Sequence, residues 1–194
     1  MLYTEKKAGE FLKKEGFLVH DRIFLKKEKD LEKLPFPNVM KVSGPTIVHK
    51  ARIGGVFVGV KNLKEAKEAY KKIMKISGAK EILVQKMISG RCFILGIKKT
   101  PEFGHVLIFG DGGTDVEKKK DVSFRAVPIK KEDALEMIQE TFVGKTVTKE
   151  EEIFLIKNLL ALSKLAEKFP KILELDINPI MSGYIIDSRI VFEK

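Results

Sequence analysis

Apolar and polar residues change their spacing along this chain, and each change marks an element. Residues 4–15 set Phe11 and Leu12 on one side of a charged segment, which predicts a helix stopped at Gly16. FLVHDRIFL then reads as a strand with mixed alternation, followed by a short charged helix near 27–33 that Pro35 and Pro37 end. NVMKVS is a short strand closed by Gly44-Pro45, and GGVFVGV runs from a glycine pair into a β-rich stretch. Leu63 to Ile76 has helical spacing, with Asn62 as its N-cap. EILVQKMI, RCFILGIKK and HVLIFG predict three strands parted by Ser89-Gly90 and by Pro101–Gly104, and DVSFRAVPI predicts another. KKEDALEMIQET and KEEEIFLIKNLLALSKLAEKF are helices, the second stopped by Pro170. ILELDINPIM and YIIDSRIVF, joined at Ser182-Gly183, predict a closing β-hairpin. Strands in antiparallel-style runs with helices grouped between them give an α+β class, with a boundary near 78–81 between a small N-terminal lobe and a larger C-terminal one.

The hairpin carries the most informative polar pattern. Glu174, Asp176 and Asn178 stand at i,i+2 spacing, so they share a face, and the returning strand brings Asp187 toward it. An amide carbonyl and a carboxylate on adjacent strands are hard oxygen ligands of the kind Mg2+ takes together with ligand phosphates and water. An acidic strand face is more often simply solvated. Pro179, however, argues against a fully laddered strand directly after Asn178. Lys41 closes an apolar run before Ser43-Gly44, where its ammonium would act as a point charge toward phosphate. Gly54-Gly55 and Gly112-Gly113 permit close backbone approach, though neither pair fits the P-loop or dinucleotide fingerprints. Of the three histidines, His20, His49 and His105, only His49 stands among basic residues (Lys50, Arg52) and ahead of a glycine pair. The single cysteine, Cys92, reads as a structural thiol and excludes an intrachain disulfide.

Composition adds exclusions. The net charge is +10, but the lysines alternate with glutamates in KKEKDLEK and NLKEAKEAYKK, the pattern of solvated helix faces rather than of a nucleic-acid stripe. Aromatics are 8% of the chain and form no aromatic-basic motif, so specific nucleic-acid binding is not expected. No apolar run is long enough to span a bilayer, so no membrane partner is expected. The N-terminal MLYTEKKAGEFLKK lacks the apolar stretch of a secretory signal, and a cytoplasmic protein is the expectation.

Taken in order, VMKVSGPTIVHKARIGGVFVGV, ILVQKMISGRCFILGIKKTPEFGHVLIFGDGG, VEKKKDVSFRAVPI and LELDINPI with IIDSRI resemble the ATP-grasp β subunit or domain of ADP-forming acyl-CoA (acetyl-CoA) synthetases, with the succinyl-CoA synthetase β subunit more distant. The resemblance covers nearly the whole chain. It implies an ATP-grasp fold over 1–194, two α+β lobes (22–78, and 1–21 with 79–194) with nucleotide between them. It implies a ligase that interconverts acyl-CoA, ADP and phosphate with acid, CoA and ATP through acyl phosphate and phosphohistidine. No CoA-binding G-x-G-x-x-G unit is visible, so the resemblance also implies a CoA-binding α subunit as hetero-oligomeric partner. By position, Lys41 would contact nucleotide phosphates, and Val84 and Gln85 would lie on the strand leading to the adenine pocket. His49 would relay phosphate to ADP, and Asn178 and Asp187 would ligate Mg2+. Gly112, Gly113, Glu117 and Arg125 match family positions around phosphoryl transfer. The chain departs from the family pattern at Cys92 and Lys86, where glutamates are usual, and at Asp111 in FGDGG, where the family has leucine. The alternatives are a diverged non-catalytic ATP-grasp module with a regulatory or partner-binding role, favoured by Cys92, and a ligase joining a carboxylate to an amine, which the HK and DVSFR segments oppose.

Overall fold

Two hydrophobic patterns sort the chain into two compact units, His20–Ser89 and Met1–Val19 with Gly90–Lys194, in a computed structural model that describes residues 1–47, 50–113 and 116–194, with Glu117 described by its backbone alone. In the smaller unit, strands β2 (Ile23–Leu25), β3 (Asn38–Ser43), β4 (Val56–Val60) and β5 (Glu81–Lys86) form an antiparallel sheet ordered β2-β5-β3-β4. Met40 and Val42 of β3 and Ile82 and Val84 of β5 project from one face. Helix α2 (Leu63–Ile73) covers that face with Ala66, Ala69 and Ile73, and Leu31 of the 3-10 turn Glu28–Lys33 completes the core. Asn62 caps α2 as expected, since its side-chain oxygen accepts the Glu65 N–H at 3.0 Å. Glu65 in turn reaches back to the Lys61 N–H at 2.9 Å.

β5 stays with this unit because it hydrogen-bonds both β2 and β3. The division therefore falls after Ser89, ten or so residues beyond the sequence-based boundary near 78–81, which had placed β5 in the larger lobe. The expected strand over FLVHDRIFL is also shorter. Only Ile23–Leu25 joins the small sheet, while Val19 makes an isolated bridge to Ile185 in the larger unit.

The larger unit is built on a seven-stranded antiparallel sheet. Its strands are β1 (Leu2–Tyr3), β6 (Phe93–Thr100), β7 (Gly104–Asp111), β8 (Val122–Ala126), β9 (Ile172–Met181), β10 (Tyr184–Ile185) and β11 (Ser188–Phe192). They run in the order β1-β11-β9-β6-β7-β8, with β10 paired to β9. Leu95, Ile97, Leu107, Phe109, Leu175, Ile177 and Ile190 face helices α1 (Glu5–Lys14), α4 (Lys131–Gln139) and α5 (Lys149–Lys168) in one apolar core. α5 opens on a capping box in which Thr148 accepts the Glu151 N–H and Glu151 accepts the Thr148 N–H. A short helix, α3 (Val116–Lys119), lies between β7 and β8. Among the described residues no helix is long and apolar enough to cross a membrane.

Candidate functional site

One end of the large sheet gathers the polar residues that the hairpin pattern pointed to. On β9 the buried positions are Leu175, Ile177 and Ile180, and the half-exposed ones include Glu174, Asp176 and Asn178. The ladder with β6 pairs Leu95 with Ile177 but Phe93 with Ile180, so β9 carries an extra residue at Asn178-Pro179. Such a bulge re-aims the side chain it contains. Across from it, the expected closing strand breaks at Ile186-Asp187, between β10 and β11. There the Asn178 N–H donates to the Asp187 carbonyl at 3.2 Å, and the Ile186 N–H to the Pro179 carbonyl at 3.0 Å. Asn178 and Asp187 are thus cross-strand neighbours at an irregular point of the ladder.

The bulge aims Asn178 at the glycine loop that follows β7. Its amide oxygen accepts the Gly113 N–H at 2.7 Å, and its amide nitrogen donates to the Gly113 carbonyl at 3.1 Å. Gly113 has φ +98°, which a side chain disfavours. Gly112 donates to the Cys92 carbonyl at 3.0 Å, and a Cβ there would lie 2.6 Å from the Phe93 carbonyl carbon. Both glycine N–H groups are therefore spent inside the protein. What the pair offers a phosphate is bare backbone at short range, not free donors.

The donor set here suits Mg2+ better than a metal caged by protein alone. Among the described residues no three His, Cys, Asp or Glu side chains converge. Asn178 keeps the second lone pair of its amide oxygen, and Asp187, half-buried in the break between β10 and β11, supplies a carboxylate. A hard cation with one carboxylate, one amide oxygen and the remaining positions left to phosphate and water fits that set. Further along the same face, Glu174 takes ion pairs from Lys98, at 2.9 Å, and from Arg189. Burial pushes its carboxyl up, but those two cations outweigh it and hold the group below the usual range.

Cys92 precedes β6 rather than lying on it, half-buried with its thiol 4.0 Å from the Met181 sulfur. Burial first, and the Asp111 carboxylate second, push that thiol up, so it is no ready nucleophile. Asp111 itself is paired with Lys119 of α3 at 2.6 Å.

In the small unit, Lys41 stands opposite Leu83 in the ladder and Gln85 opposite Val39, which puts Lys41 and Gln85 on the face away from α2. Both are nearly buried, at 6% and 3% exposure, unlike ordinary surface residues of their types. Val84 points the other way, into the core beneath α2. His20, also buried, is held below its ordinary pKa by burial, and Lys41 and Arg22 add to that effect. His49 lies outside the described residues.

Arg125 goes elsewhere. Its guanidinium bonds Glu140 on the far end of α4 at 2.6 and 3.0 Å and reaches Glu136 at 3.3 Å. It also donates to the Phe124 carbonyl at 2.9 Å. The Glu140 hydrogen bonds raise its pKa, and Glu140 is correspondingly held low. His105 is occupied structurally, 2.7 Å from the Ile172 carbonyl. The Asn178–Gly113 clasp had no local signal in the sequence, because its partners are 65 positions apart.

The chain matches the ATP-grasp domain family over residues 2–190. It is 36% identical over 210 aligned positions to "Acetate--CoA ligase [ADP-forming] I subunit beta" of Pyrococcus furiosus, covering 97% of this chain and 90% of that one. Among solved structures, the "dinucleotide forming Acetyl-coenzyme A synthetase 1" of Ca. Korarchaeum cryptofilum superposes at a TM-score of 0.85 with 29% identity, covering 99% of this chain and 93% of that one. The same enzyme in complex with coenzyme A and Mg-AMPPCP gives a TM-score of 0.80, also at 29% identity and with the same coverage. This chain belongs to the ATP-grasp domain family, in the group that contains the β subunits of ADP-forming acetate–CoA ligases.

Proposed function

We propose that the chain is the nucleotide-binding β subunit of an ADP-forming acyl-CoA synthetase. Together with a CoA-binding α subunit it would interconvert acyl-CoA, ADP and phosphate with acid, CoA and ATP. The observation that carries this reading is the bulge at Asn178-Pro179, where the Asn178 side chain, beside Asp187, joins a glycine loop by two hydrogen bonds. Its likeness to named β subunits supplies the reaction class.

In this reading Asn178 and Asp187 hold Mg2+, which when bound neutralises phosphate charge and orients the transferring group. Gly112 and Gly113 let the nucleotide's phosphates approach backbone, and the family resemblance assigns Lys41 to nucleotide phosphates as a positive charge. Gln85 lines the nucleotide side of β5, while Val84 supports that strand from beneath. His49 accepts the phosphoryl group and passes it to ADP. Glu117 lies on α3 beside the glycine loop, and Arg125 braces β8 against α4. The chain would act in the cytoplasm.

The test mixes the chain with a CoA-binding α subunit and follows ATP formation that requires acyl-CoA, phosphate and ADP. Absence of turnover with any of a panel of short-chain acyl-CoAs would sink the catalytic reading. Calorimetry with Mg·ADP separates the alternative suggested by Cys92, because binding without turnover describes a non-catalytic module. Asn178→Ala and Asp187→Ala are each expected to weaken Mg·ADP at least about tenfold, the scale of a lost charge-assisted contact. Unchanged affinity in both would refute the metal assignment.

A further inference from the structure

The segment between β7 and β8 leaves the sheet and returns to it. Its ends meet at the Asp111 N–H, which donates to the Asp121 carbonyl at 3.1 Å, just beyond the last ladder pair, Gly110 with Val122. Between those ends lie the glycine loop and α3. Three ties hold the excursion. Gly112 is bonded and packed onto the backbone of β6, and Gly113 is clasped by Asn178. Asp111, the last residue of β7, pairs with Lys119 near the end of the excursion at 2.6 Å. The return is fixed as well, because Asp121 accepts the N–H groups of Phe142 and Val143 at 2.7 and 2.9 Å.

A carboxylate next to a phosphate loop would repel the ligand if it stood alone. Asp111 does not stand alone: from the end of β7, where it pairs with Phe93 of β6, it holds Lys119 of α3. We propose that Asp111 and Lys119 are positioning residues of the glycine loop. Their ion pair ties the far end of the excursion to the end of β7, and so holds Gly112 and Gly113 where Asn178 clasps Gly113 and where the phosphates of a nucleoside diphosphate pass. The nucleotide half of this inference rests on the function proposed above; the loop half does not.

The two halves are read separately. Amide hydrogen exchange is measured on the full chain and on Asp111→Asn, Lys119→Met and the double variant, and Mg·ADP affinity is measured on the same four proteins. The side chains are partly exposed, so each single change should speed exchange at Gly113 by about two- to fivefold and leave Leu107 and Phe109 unchanged. The double variant should exchange no faster than the faster single, because the brace is lost once. Both singles should weaken Mg·ADP by a similar factor. A plain charge effect gives opposite signs instead, with Asp111→Asn binding more tightly and Lys119→Met more weakly. That pattern, or unchanged exchange at Gly113, overturns the brace. If the unmodified chain does not bind Mg·ADP, the proposed function fails and exchange alone decides the brace.

Discussion

Two corners of the large sheet carry residues that the family resemblance placed near phosphoryl transfer, and they spend those residues differently. At the β9 end, Asn178 bonds the backbone of a glycine loop with its side chain and the Asp187 carbonyl with its N–H. At the β8 edge, Arg125 forks onto Glu140 at the end of α4 and reaches Glu136 with one more bond. The first arrangement joins a side chain to a segment that can meet a ligand. The second consumes a charge in joining a strand to a helix. A polar residue in a family motif therefore identifies a site only when its partners do, and here the partners favour Asn178.

The contrast can be broken most forcefully at Gly112. Its missing side chain is needed because a Cβ would meet the rigid backbone of Phe93, so Gly112→Ala should cost about 1–3 kcal/mol of overpacking strain, read as a lower urea midpoint. A midpoint equal to wild type would mean that the loop is not seated on β6. Asn178→Ala comes next. Loss of both bonds to Gly113 at a part-buried site should cost about 1–2 kcal/mol, with protection lost at the Gly113 amide. Arg125→Met should cost no more than about 1 kcal/mol and leave Mg·ADP affinity within about twofold of wild type. A large drop in affinity would return Arg125 to the phosphate site and dissolve the distinction drawn here.

The smallest effect concerns pH. The Arg125 hydrogen bond holds the folded-state pKa of Glu140 below its ordinary value. A depressed carboxyl pKa adds stability that is present above the unfolded pKa and disappears as pH falls through the folded one. Glu140 is about half exposed, so solvent screens the pair and the gap in stability between wild type and Glu140→Gln should be a few tenths of a kcal/mol near neutrality. It should close in acid. A gap independent of pH would show that the pair is not ionic in solution.

Much of this was legible in the residue pattern because local rules governed it. Asn62 and the Ser182-Gly183 turn are short-range signals, and each marks a boundary that the structure has. Pro179 correctly announced an interrupted ladder. What stayed hidden depends on long-range partners. FLVHDRIFL has strand composition along its whole length, but only three of its residues find a ladder, because Val19 is captured by Ile185. β5 reads the same whichever sheet it joins, and only its pairing with β2 and β3 assigns it. Arg125 belongs to a family motif, yet its partners on α4 cannot be read from that motif.

The strand pairings also order events in time. Every ladder of the small sheet is complete within residues His20–Ser89, so during synthesis that unit has all its partners before β6 emerges. The large sheet must wait. Its β6 needs β9, and its first strand needs its last, since Leu2 pairs with Val191. Until then Leu95 and Ile97 of β6 lack the strand that flanks them on that side. Folding of the large unit should accordingly be the slower phase, and its unpaired strands the species most prone to aggregate.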